Sequence, residues 1–237
     1  SDDIHENYFF NESFRCHSIL KHPAILPLFG CSNSFFGKET RSFITPFMQN
    51  SDFLTFLSKT SDQHIFDTKL AIIIFGIASG MEYMHEKKVI YRNLKPENIL
   101  LDENFHPKIS DFTYATIVPN GSKSYCNMPY IGGTSIFTAP ESYSENVYSP
   151  DKIDVFSYAI ILHMAFTKRQ PFYDMSNDPI VIKKLIEDGY RPTIENDEIP
   201  DIFVDLIDKC WNSDPDCRPS FNQIVNDFIV RKNQYFG

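Results

Sequence analysis

The sequence lacks three patterns that would assign it to large classes of protein. Its five cysteines are odd in number and form no C-x-x-C pair, which fits neither a disulfide framework nor a zinc site. No window gathers five or six Lys or Arg and the net charge is −9, so nucleic acid and anionic membranes are not expected partners. The longest uncharged apolar runs are too short to span a bilayer, so no membrane segment is expected. A reducing compartment, the cytoplasm, is the predicted location.

The composition indicates a folded globular chain. Its 237 residues are 42% hydrophobic and 15% aromatic, enough to fill a core in one large domain or two small lobes. The N-terminal stretch SDDIHENYFF has no basic region and no cleavage site, and it does not begin with Met. We therefore expect a processed chain or a fragment of a longer one.

The hydrophobic pattern predicts a small strand-bearing region at the N-terminus. Residues 8–21 mix apolar and polar positions and stop before Pro23, as an amphipathic helix does. Residues 24–30 and 41–48 have the composition of two short strands joined by a polar loop. The predicted first domain therefore covers residues 1–50.

The rest of the chain, residues 51–237, is predicted to be mainly helical. Two helices come first, one from Ser51 to Lys59 and a longer one that begins at Asp67. Brief strand candidates and then a long polar loop follow, and a loop of that length in a compact domain is usually functional or mobile. Prolines begin four further apolar-periodic segments, which are predicted as helices at 150–167, 179–187, 200–211 and 219–231.

Side chains with the chemistry of phosphoryl transfer lie in one stretch of the middle region. Asn93 and Asn98 are five residues apart with Lys95 between them, and Asp111 follows thirteen residues after Asn98. Phosphoryl transfer from a nucleotide needs oxygen ligands for Mg²⁺, a cation near the moving phosphate, and an acceptor for the proton of the substrate hydroxyl. Asn98 and Asp111 could supply the oxygen ligands, and Lys95 the cation.

Several ordered motifs resemble the catalytic core of the eukaryotic protein kinase family. The family's catalytic loop H-R-D-L-x-x-x-N appears as YRNLKPEN at 91–98, its D-F-G as DFT at 111–113, and its A-P-E as APE at 139–141. The LKPEN form resembles Ser/Thr-specific members, and CWNSDPDCRPSF at 210–221 is similar to the tyrosine-kinase-like branch. KIDVFSYAIIL at 152–162 is similar to the family's helix whose buried aspartate orders the catalytic-loop backbone.

The resemblance implies an α+β protein-kinase-like fold, in which an incomplete small N-lobe of helix C and about two strands sits on a mainly helical C-lobe. It implies a catalytic loop at 91–98 and an activation segment at 111–141. It also implies ATP and Mg²⁺ as cofactors, bound weakly or not at all. The implied catalytic positions are Arg92, Asn93, Lys95 and Thr134. The implied cofactor-binding residues are Thr45, Phe47, Met48, Lys95, Asn98 and Asp111, of which Asn98 and Asp111 would hold Mg²⁺.

These positions also have ordinary structural explanations. Asp111 alone could be a turn aspartate, and Lys95 alone a solvated surface lysine. Arg92 could be a surface charge, whereas in the family such an arginine pairs with a phosphorylated activation loop. Glu141 and Arg218 resemble a buried structural ion pair of the helical lobe and mark the fold more than the chemistry.

Three substitutions depart from the family's catalytic pattern. Asn93 stands where the family has an aspartate that accepts the hydroxyl proton, and an amide can orient a hydroxyl but lacks the basicity to deprotonate it. Loss of a general base costs about 10² to 10⁴ in rate, while electrostatic positioning survives. Tyr91 replaces the family's His. Thr113 replaces the flexible Gly after Asp-Phe, which restricts how that segment can turn.

The N-terminal region departs further. No G-x-G-x-x-G occurs and no V-A-I-K-like strand precedes residue 8, so the sequence has neither the phosphate-covering loop nor its lysine. Counting back from His22 places the family's helix-C glutamate at Ser13, with Glu12 one residue away. A sheet that lacks about three strands has an exposed edge, so either the polypeptide starts upstream, which we expect, or a partner covers that edge.

The resulting hypothesis is a pseudokinase, a protein-kinase-like domain that has lost its catalytic base and signals through protein partners. The alternative is an active or slow Ser/Thr protein kinase that transfers the ATP γ-phosphate to protein hydroxyls, with its glycine loop and lysine upstream. A third hypothesis is an interaction module without nucleotide binding. A thermal shift with ATP and Mg²⁺ separates the third hypothesis from the other two.

Overall fold

Long helices and strands of two or three residues make up the computed structural model, which describes residues 2–34, 41–59, 63–118, 125–126, 135–143, 146–147, 149–195 and 198–236. The helices are α1 (Asp2–Ser18), α2 (Phe53–Lys59), α3 (Gln63–Glu86), α4 (Asp151–Thr167), α5 (Pro179–Glu187), α6 (Asp201–Cys210), α7 (Phe221–Val230) and α8 (Lys232–Tyr235). The strands are β1 (Gly30–Ser32), β2 (Ser42–Ile44), β3 (Val89–Ile90), β4 (Ile99–Leu101), β5 (Pro107–Ile109), β6 (Thr116–Ile117), β7 (Tyr125–Cys126) and β8 (Asn146–Val147).

The strands pair as antiparallel couples, and two of these couples are nested in sequence. Strand β3 pairs with β6, and between them along the chain β4 pairs with β5. The loop from β3 to β4 and the loop from β5 to β6 both connect the inner couple to the outer one. The nesting therefore brings residues 91–98 and 110–115 to the same end of the two couples.

The N-terminal region has less strand than its composition predicts. The predicted strand at 24–30 is wrong, because residue 25 makes a single bridge to Ile109 and β1 begins only at residue 30. Pro23 and Pro27 explain the loss, since each lacks a backbone N–H and restricts the residue before it. The strand predicted at 41–48 is reduced to β2, which Pro46 follows closely. The backbone of residues 24–26 instead bonds to β5, with Leu26 N 2.9 Å from Ile109 O.

The predicted helices of the larger region are confirmed, with corrections at two starts. Helix α5 has the predicted bounds, and α4, α6 and α7 lie within one or two residues of theirs. Helix α3 begins at Gln63, four residues before the predicted start. Ser51 is not the N-cap of α2, because it has a φ of 61° and the carboxylate of Asp52 accepts from Thr55 N at 2.8 Å.

The core of the molecule is organised around α4, which is buried on every side. All residues from Ile153 to Ala165 are buried, so α4 is a central helix rather than an amphipathic surface one. The hydroxyl of Tyr158 donates to Ile74 O at 2.9 Å and ties α4 to α3. This arrangement places Asp154, in the first turn of α4, beneath the loop that follows β3. Within the described ranges no helix is long and apolar enough to cross a membrane.

Candidate active site

The nested strand couples bring three of the predicted site residues into direct contact. Asn93 Nδ2 donates to Asp111 Oδ2 at 2.9 Å, and Asn98 Nδ2 donates to Asn93 O at 2.8 Å. Ser110 joins the same cluster, because its N and Oγ both donate to Asn98 O at 2.9 Å. Asn93 and Asn98 are each only 7% exposed, so these hydrogen bonds are largely shielded from water.

The carboxylate of Asp111 is engaged through both of its oxygens. Besides the bond from Asn93 to Oδ2, Oδ1 accepts from Thr113 Oγ1 at 2.5 Å and from Thr113 N at 3.2 Å. Asp111 has a φ of 51°, a left-handed conformation that Asp tolerates better than most residues. Both side-chain donors to this carboxylate come from positions 93 and 113, where the sequence departs from the kinase pattern.

A second carboxylate, that of Asp154, holds the backbone of the same loop from below. It accepts from Tyr91 N at 2.9 Å, from Arg92 N at 2.7 Å and from His85 Nε2 at 2.9 Å. Asp154 is fully buried, and these donors compensate for the loss of its hydration. They also hold Arg92 at a φ of 64°, which is unfavourable for a long side chain. The predicted ordering role of Asp154 is confirmed.

Tyr91, which replaces the family's His, is buried and satisfied. Its hydroxyl donates to Ser110 O, so it links the two loops that carry the cluster. Burial raises the pKa of Tyr91 well above its ordinary value, and the nearby charges of Asp111 and Asp154 act in the same direction. The phenol is therefore a fixed hydrogen-bond donor and not a proton acceptor in the neutral pH range.

A column of rings connects this cluster to the N-terminal region. Tyr91 meets Phe112 edge to face with ring centres 5.5 Å apart, and His17 of α1 stacks on Phe112 at 4.3 Å. On its other side His17 contacts Phe43 of β2 at 6.4 Å, and its Nε2 lies 2.6 Å from Leu26 O. Burial lowers the pKa of His17, which favours the neutral ring in this column.

Among the described residues, no hydrogen bond joins the cluster to the side chains of Lys95, Thr45, Phe47 or Met48. The Lys95 ammonium makes no hydrogen bond or ion pair with any described residue. Thr45, Phe47 and Met48 lie on the segment after β2, and Phe47 is 82% exposed. No contact among the described side chains connects these three residues to Asp111. Thr134 lies outside the described residues.

The helix-C glutamate of the family has no counterpart at its expected position. Ser13 is 2% exposed, and its Oγ has no hydrogen-bond partner within the described part of the chain. The neighbouring Glu12 carboxylate lies 3.6 Å from the Arg15 guanidinium on the same helix. The nearest acidic side chain is therefore engaged locally, at an i, i+3 spacing.

The predicted structural ion pair between Glu141 and Arg218 is confirmed. Arg218 Nη1 and Nη2 donate to the two Glu141 oxygens at 2.6 and 2.9 Å, a bidentate geometry. The Arg218 side chain is fully buried, and it also donates to Asn212 O and Lys152 O. This pair ties the segment around Glu141 to the helical region.

The oxygen ligands that Mg²⁺ would use are present but already engaged. Asn98 donates through Nδ2, which leaves its Oδ1 as the atom available to a cation, and Asp111 supplies the carboxylate. Carboxylate oxygens have further lone pairs, so the residues fit a hard cation that competes with the bonds from Asn93 and Thr113. Within the described residues no group of three or more His, Cys, Asp or Glu is arranged to hold a metal.

Three residues of this site escaped sequence reasoning. Ser110 bridges Asn98 and Tyr91, and its position between a strand and Asp111 carries no signal of that role. At position 113 the sequence predicts only a loss of glycine flexibility, whereas the Thr113 hydroxyl is a donor to Asp111. His17 lies among apolar residues of α1, and its stacking on Phe112 depends on a tertiary contact that periodicity does not encode.

Comparison with known proteins identifies the family to which this geometry belongs. The family model described as protein kinase domain matches residues 2–229, nearly the whole chain. The chain therefore belongs to the protein kinase family, and its α+β fold with a small N-lobe is that of the family.

Curated relatives with this similarity are named as Ser/Thr protein kinases. Receptor-interacting serine/threonine-protein kinase 2 of Bos taurus is 31% identical over 83% of this chain and 38% of its own length. The RGS domain-containing serine/threonine-protein kinase A of Dictyostelium discoideum is 32% identical over 91% of this chain and 18% of its own length. The putative serine/threonine-protein kinase/receptor R826 of Acanthamoeba polyphaga mimivirus is 31% identical over 87% of this chain and 12% of its own length. The chain thus spans well under half the length of these relatives.

Proposed function

We propose that this chain is a catalytically impaired protein kinase domain that acts through protein partners. The observation that carries the proposal is the hydrogen bond from Asn93 Nδ2 to Asp111 Oδ2 at 2.9 Å. In that bond the side chain at the position of the catalytic base is a donor, and it points at the residue that would hold the metal.

The chemical consequence concerns the proton of the substrate hydroxyl. An amide is not a base at neutral pH, and here its NH₂ group is directed to Asp111. Among the described neighbours the buried Tyr91 phenol does not replace it, since the phenol is itself a donor to Ser110 O. We expect a deficit in the chemical step of about 10² to 10⁴, the range for loss of a general base.

ATP and Mg²⁺ would bind weakly in this proposal. Asn98 and Asp111 would hold Mg²⁺, which when bound neutralises charge on the phosphates being transferred. The Asp111 oxygens would exchange hydrogen bonds from Asn93 and Thr113 for the ion, so part of the binding energy is lost. Lys95, whose ammonium is free of described partners, would contact phosphate.

The retained scaffold supports a role in binding rather than loss of all function. The Asp154 anchor and the Glu141–Arg218 pair preserve the shape of the catalytic loop and of the activation-segment end. A domain that keeps this fold but lacks the catalytic base is suited to signalling by its conformation, through contacts with protein partners. The motif at 210–221 supports placement in the tyrosine-kinase-like branch, and a cytoplasmic location remains a prediction.

An active or slow Ser/Thr kinase is the competing function. The names of the relatives favour it, as do Asn98 and Asp111, which retain the residue types of the metal site. Electrostatic positioning supplies much of kinase catalysis, so a chain without its base could still transfer phosphate slowly.

The test is phosphoryl transfer from labelled ATP, to a generic protein substrate and to the protein itself, with the full-length polypeptide. The proposal expects the native protein to incorporate no more label than its Asp111→Ala variant. Asp111→Ala is the matched control because it removes the metal carboxylate while leaving the Asp154 anchor in place. Label incorporation that depends on Asp111 would establish the active-kinase alternative.

A further inference from the structure

An open groove lined by both polar and apolar side chains lies on the helical region, away from the candidate active site. It has a volume of about 640 Å³ and lies between α6 and the chain that leads into it from α5. Its apolar lining comes from Pro192, Ile194, Ile199, Val204 and Trp211. A groove of this size is in the range that binds side chains of a ligand or peptide.

One stripe of α6 forms the long wall of the groove. Asp201, Val204 and Asp208 are spaced at i, i+3 and i+7, which places them on one face of the helix. The opposite face of α6 carries Phe203 and Ile207 and is buried in the core. The wall therefore presents an apolar side chain between two carboxylates.

The two carboxylates of this wall have no Lys, Arg or His partner among the described residues. That of Asp201 has no hydrogen bond or ion pair within the described part of the chain, and that of Asp208 accepts only from the neutral indole of Trp211 at 3.0 Å. A third carboxylate at the rim, Glu195, lies 3.3 Å from Arg169 and is partly neutralised. No Lys or Arg is among the described residues that line the groove.

The surrounding stretch of sequence reinforces this negative potential. Residues 174–216 contain twelve Asp or Glu against four Lys or Arg, so this stretch carries −8 of the formal charge of −9. The rest of the chain is almost neutral. A strongly acidic stretch that contributes Asp201 and Asp208 to the groove attracts ligands of the opposite sign and raises their association rate.

We propose that this groove docks a basic segment of a protein partner, in polyproline II conformation, with an apolar residue between two cationic ones. Asp201 and Asp208 are seven residues apart on α6, or about 10 Å along the axis. A polyproline II segment has three residues per turn and rises about 9 Å over them, so cations at positions i and i+3 lie on the same side and match the two carboxylates. The residues between them would place an apolar side chain on Val204. This inference deepens the proposed function, because it names the chemistry of the partner.

The probe is a fluorescein-labelled peptide in which two arginines flank two leucines, titrated by anisotropy at 0.15 M salt. Two comparison peptides are used. The first has the same composition but places the two arginines next to each other, and the second has glutamates in place of the arginines. At this salt concentration distant charges are screened beyond about 8 Å. We expect the spaced arginine peptide to bind at least about tenfold more tightly than either comparison peptide, which corresponds to about 1.4 kcal/mol.

Three variants distinguish binding in the groove from general attraction by the negative charge of the protein. Asp201→Lys should weaken binding of the spaced peptide by about tenfold or more. Asp205→Lys makes the same charge change on the same helix, outside the groove lining, and should weaken binding less than about twofold. Val204→Glu adds a negative charge but removes the apolar contact, so it should weaken binding. Melting temperatures of all three variants verify that each is folded.

Several outcomes would overturn the groove assignment. Equal weakening by Asp201→Lys and Asp205→Lys, or tighter binding by Val204→Glu, would show attraction by general charge. Equal affinity for the three peptides would contradict the spacing argument. Self-association of the native domain in sedimentation velocity, abolished by Val204→Glu, would assign the groove to a second copy of the chain instead.

Phosphoryl transfer measured on the same proteins keeps the two proposals apart. Peptide binding that depends on Asp201, in a protein that transfers phosphate through Asp111, would retain the groove and overturn the proposed function. A silent protein that fails to bind the spaced peptide would retain the impaired-kinase proposal and overturn the groove.

Discussion

Two aspartates on either side of the catalytic loop are held in contrasting ways. Asp154 is fully buried, and two of its three donors are backbone amides. Asp111 lies at the surface, and its side-chain donors are Asn93 and Thr113. Backbone donors remain when side chains are substituted, whereas side-chain donors change with every substitution. The backbone of the loop is therefore held by contacts that do not depend on its side chains, whereas the contacts of Asp111 depend on the residues at positions 93 and 113.

Removal of the Asp154 carboxylate is the strongest test of the scaffold half of this comparison. Asp154→Ala leaves two backbone amides and His85 without their acceptor in a buried site. We expect a loss of about 3–5 kcal/mol in the free energy of unfolding, measured by urea denaturation. Asp151→Ala, in the same turn of α4, is the control and should cost less than about 1 kcal/mol. Similar losses in both variants would remove the special role of Asp154.

The hydroxyl of Tyr91 is expected to have the next largest effect on stability. Tyr91→Phe keeps the ring packed against Phe112 but leaves Ser110 O without its side-chain donor. The expected loss is about 1–2 kcal/mol in the free energy of unfolding, as for a buried hydrogen bond. An unchanged midpoint in urea would mean that this bond does not link the two loops.

Acid should destabilise the ring column through His17. Because burial lowers its pKa in the folded state, the unfolded chain binds a proton first as the pH falls below about 6.5. The free energy of unfolding therefore keeps the full contribution of His17 above that pH and decreases below it. The slope is at most about 1.4 kcal/mol per pH unit for one proton.

The contribution of His17 is measured by comparing unfolding free energies at pH 7.5 and 5.5 in the native protein and in His17→Gln. The variant keeps a donor for Leu26 O but does not titrate. His163→Gln removes a second buried histidine, outside the column and against Thr193 O; burial also lowers the pKa of His163, so this variant should flatten the acid slope independently of His17. The same acid slope in native protein and His17→Gln would contradict the prediction.

The smallest expected effect concerns the contact between positions 93 and 111. Asn93→Asp replaces a donor 2.9 Å from Asp111 Oδ2 with a second carboxylate, so a hydrogen bond becomes a repulsion. Without divalent ions we expect a loss of about 1 kcal/mol in unfolding free energy. Millimolar Mg²⁺ should recover that loss in Asn93→Asp and have little effect on Thr113→Ala, as measured by thermal unfolding. Equal responses to Mg²⁺ in both variants would contradict the account.

Local patterns predicted much of the fold because they act over short distances. Proline at the start of α5 and the apolar period of α4 are written in adjacent residues, and the corresponding helices are confirmed. The strand at 24–30 was wrong because its apolar residues pair with β5 through tertiary contacts rather than forming a hairpin. The start of α3 was misplaced because an acidic residue inside a helix resembles an N-cap.

The candidate site was predictable in its residue types and not in its hydrogen bonds. Motif spacing brought Asn93, Asn98 and Asp111 into one hypothesis, and the nested strands bring them into contact. The amide nitrogen of Asn93 faces Asp111 because a carboxylate only accepts hydrogen bonds, and no sequence pattern shows that these two side chains meet. Ser110 and His17 contribute through contacts that only the assembled fold creates.

The central claim is that Asn93 removes the base from a loop whose backbone is still held by Asp154. The most direct test is phosphoryl transfer from labelled ATP by full-length Asn93→Asp beside the native protein and the double variant Asn93→Asp with Asp111→Ala. The account predicts a silent native protein, a gain of about 10² or more in Asn93→Asp, and its loss in the double variant. Native transfer that equals that of Asn93→Asp and requires Asp111 would contradict it.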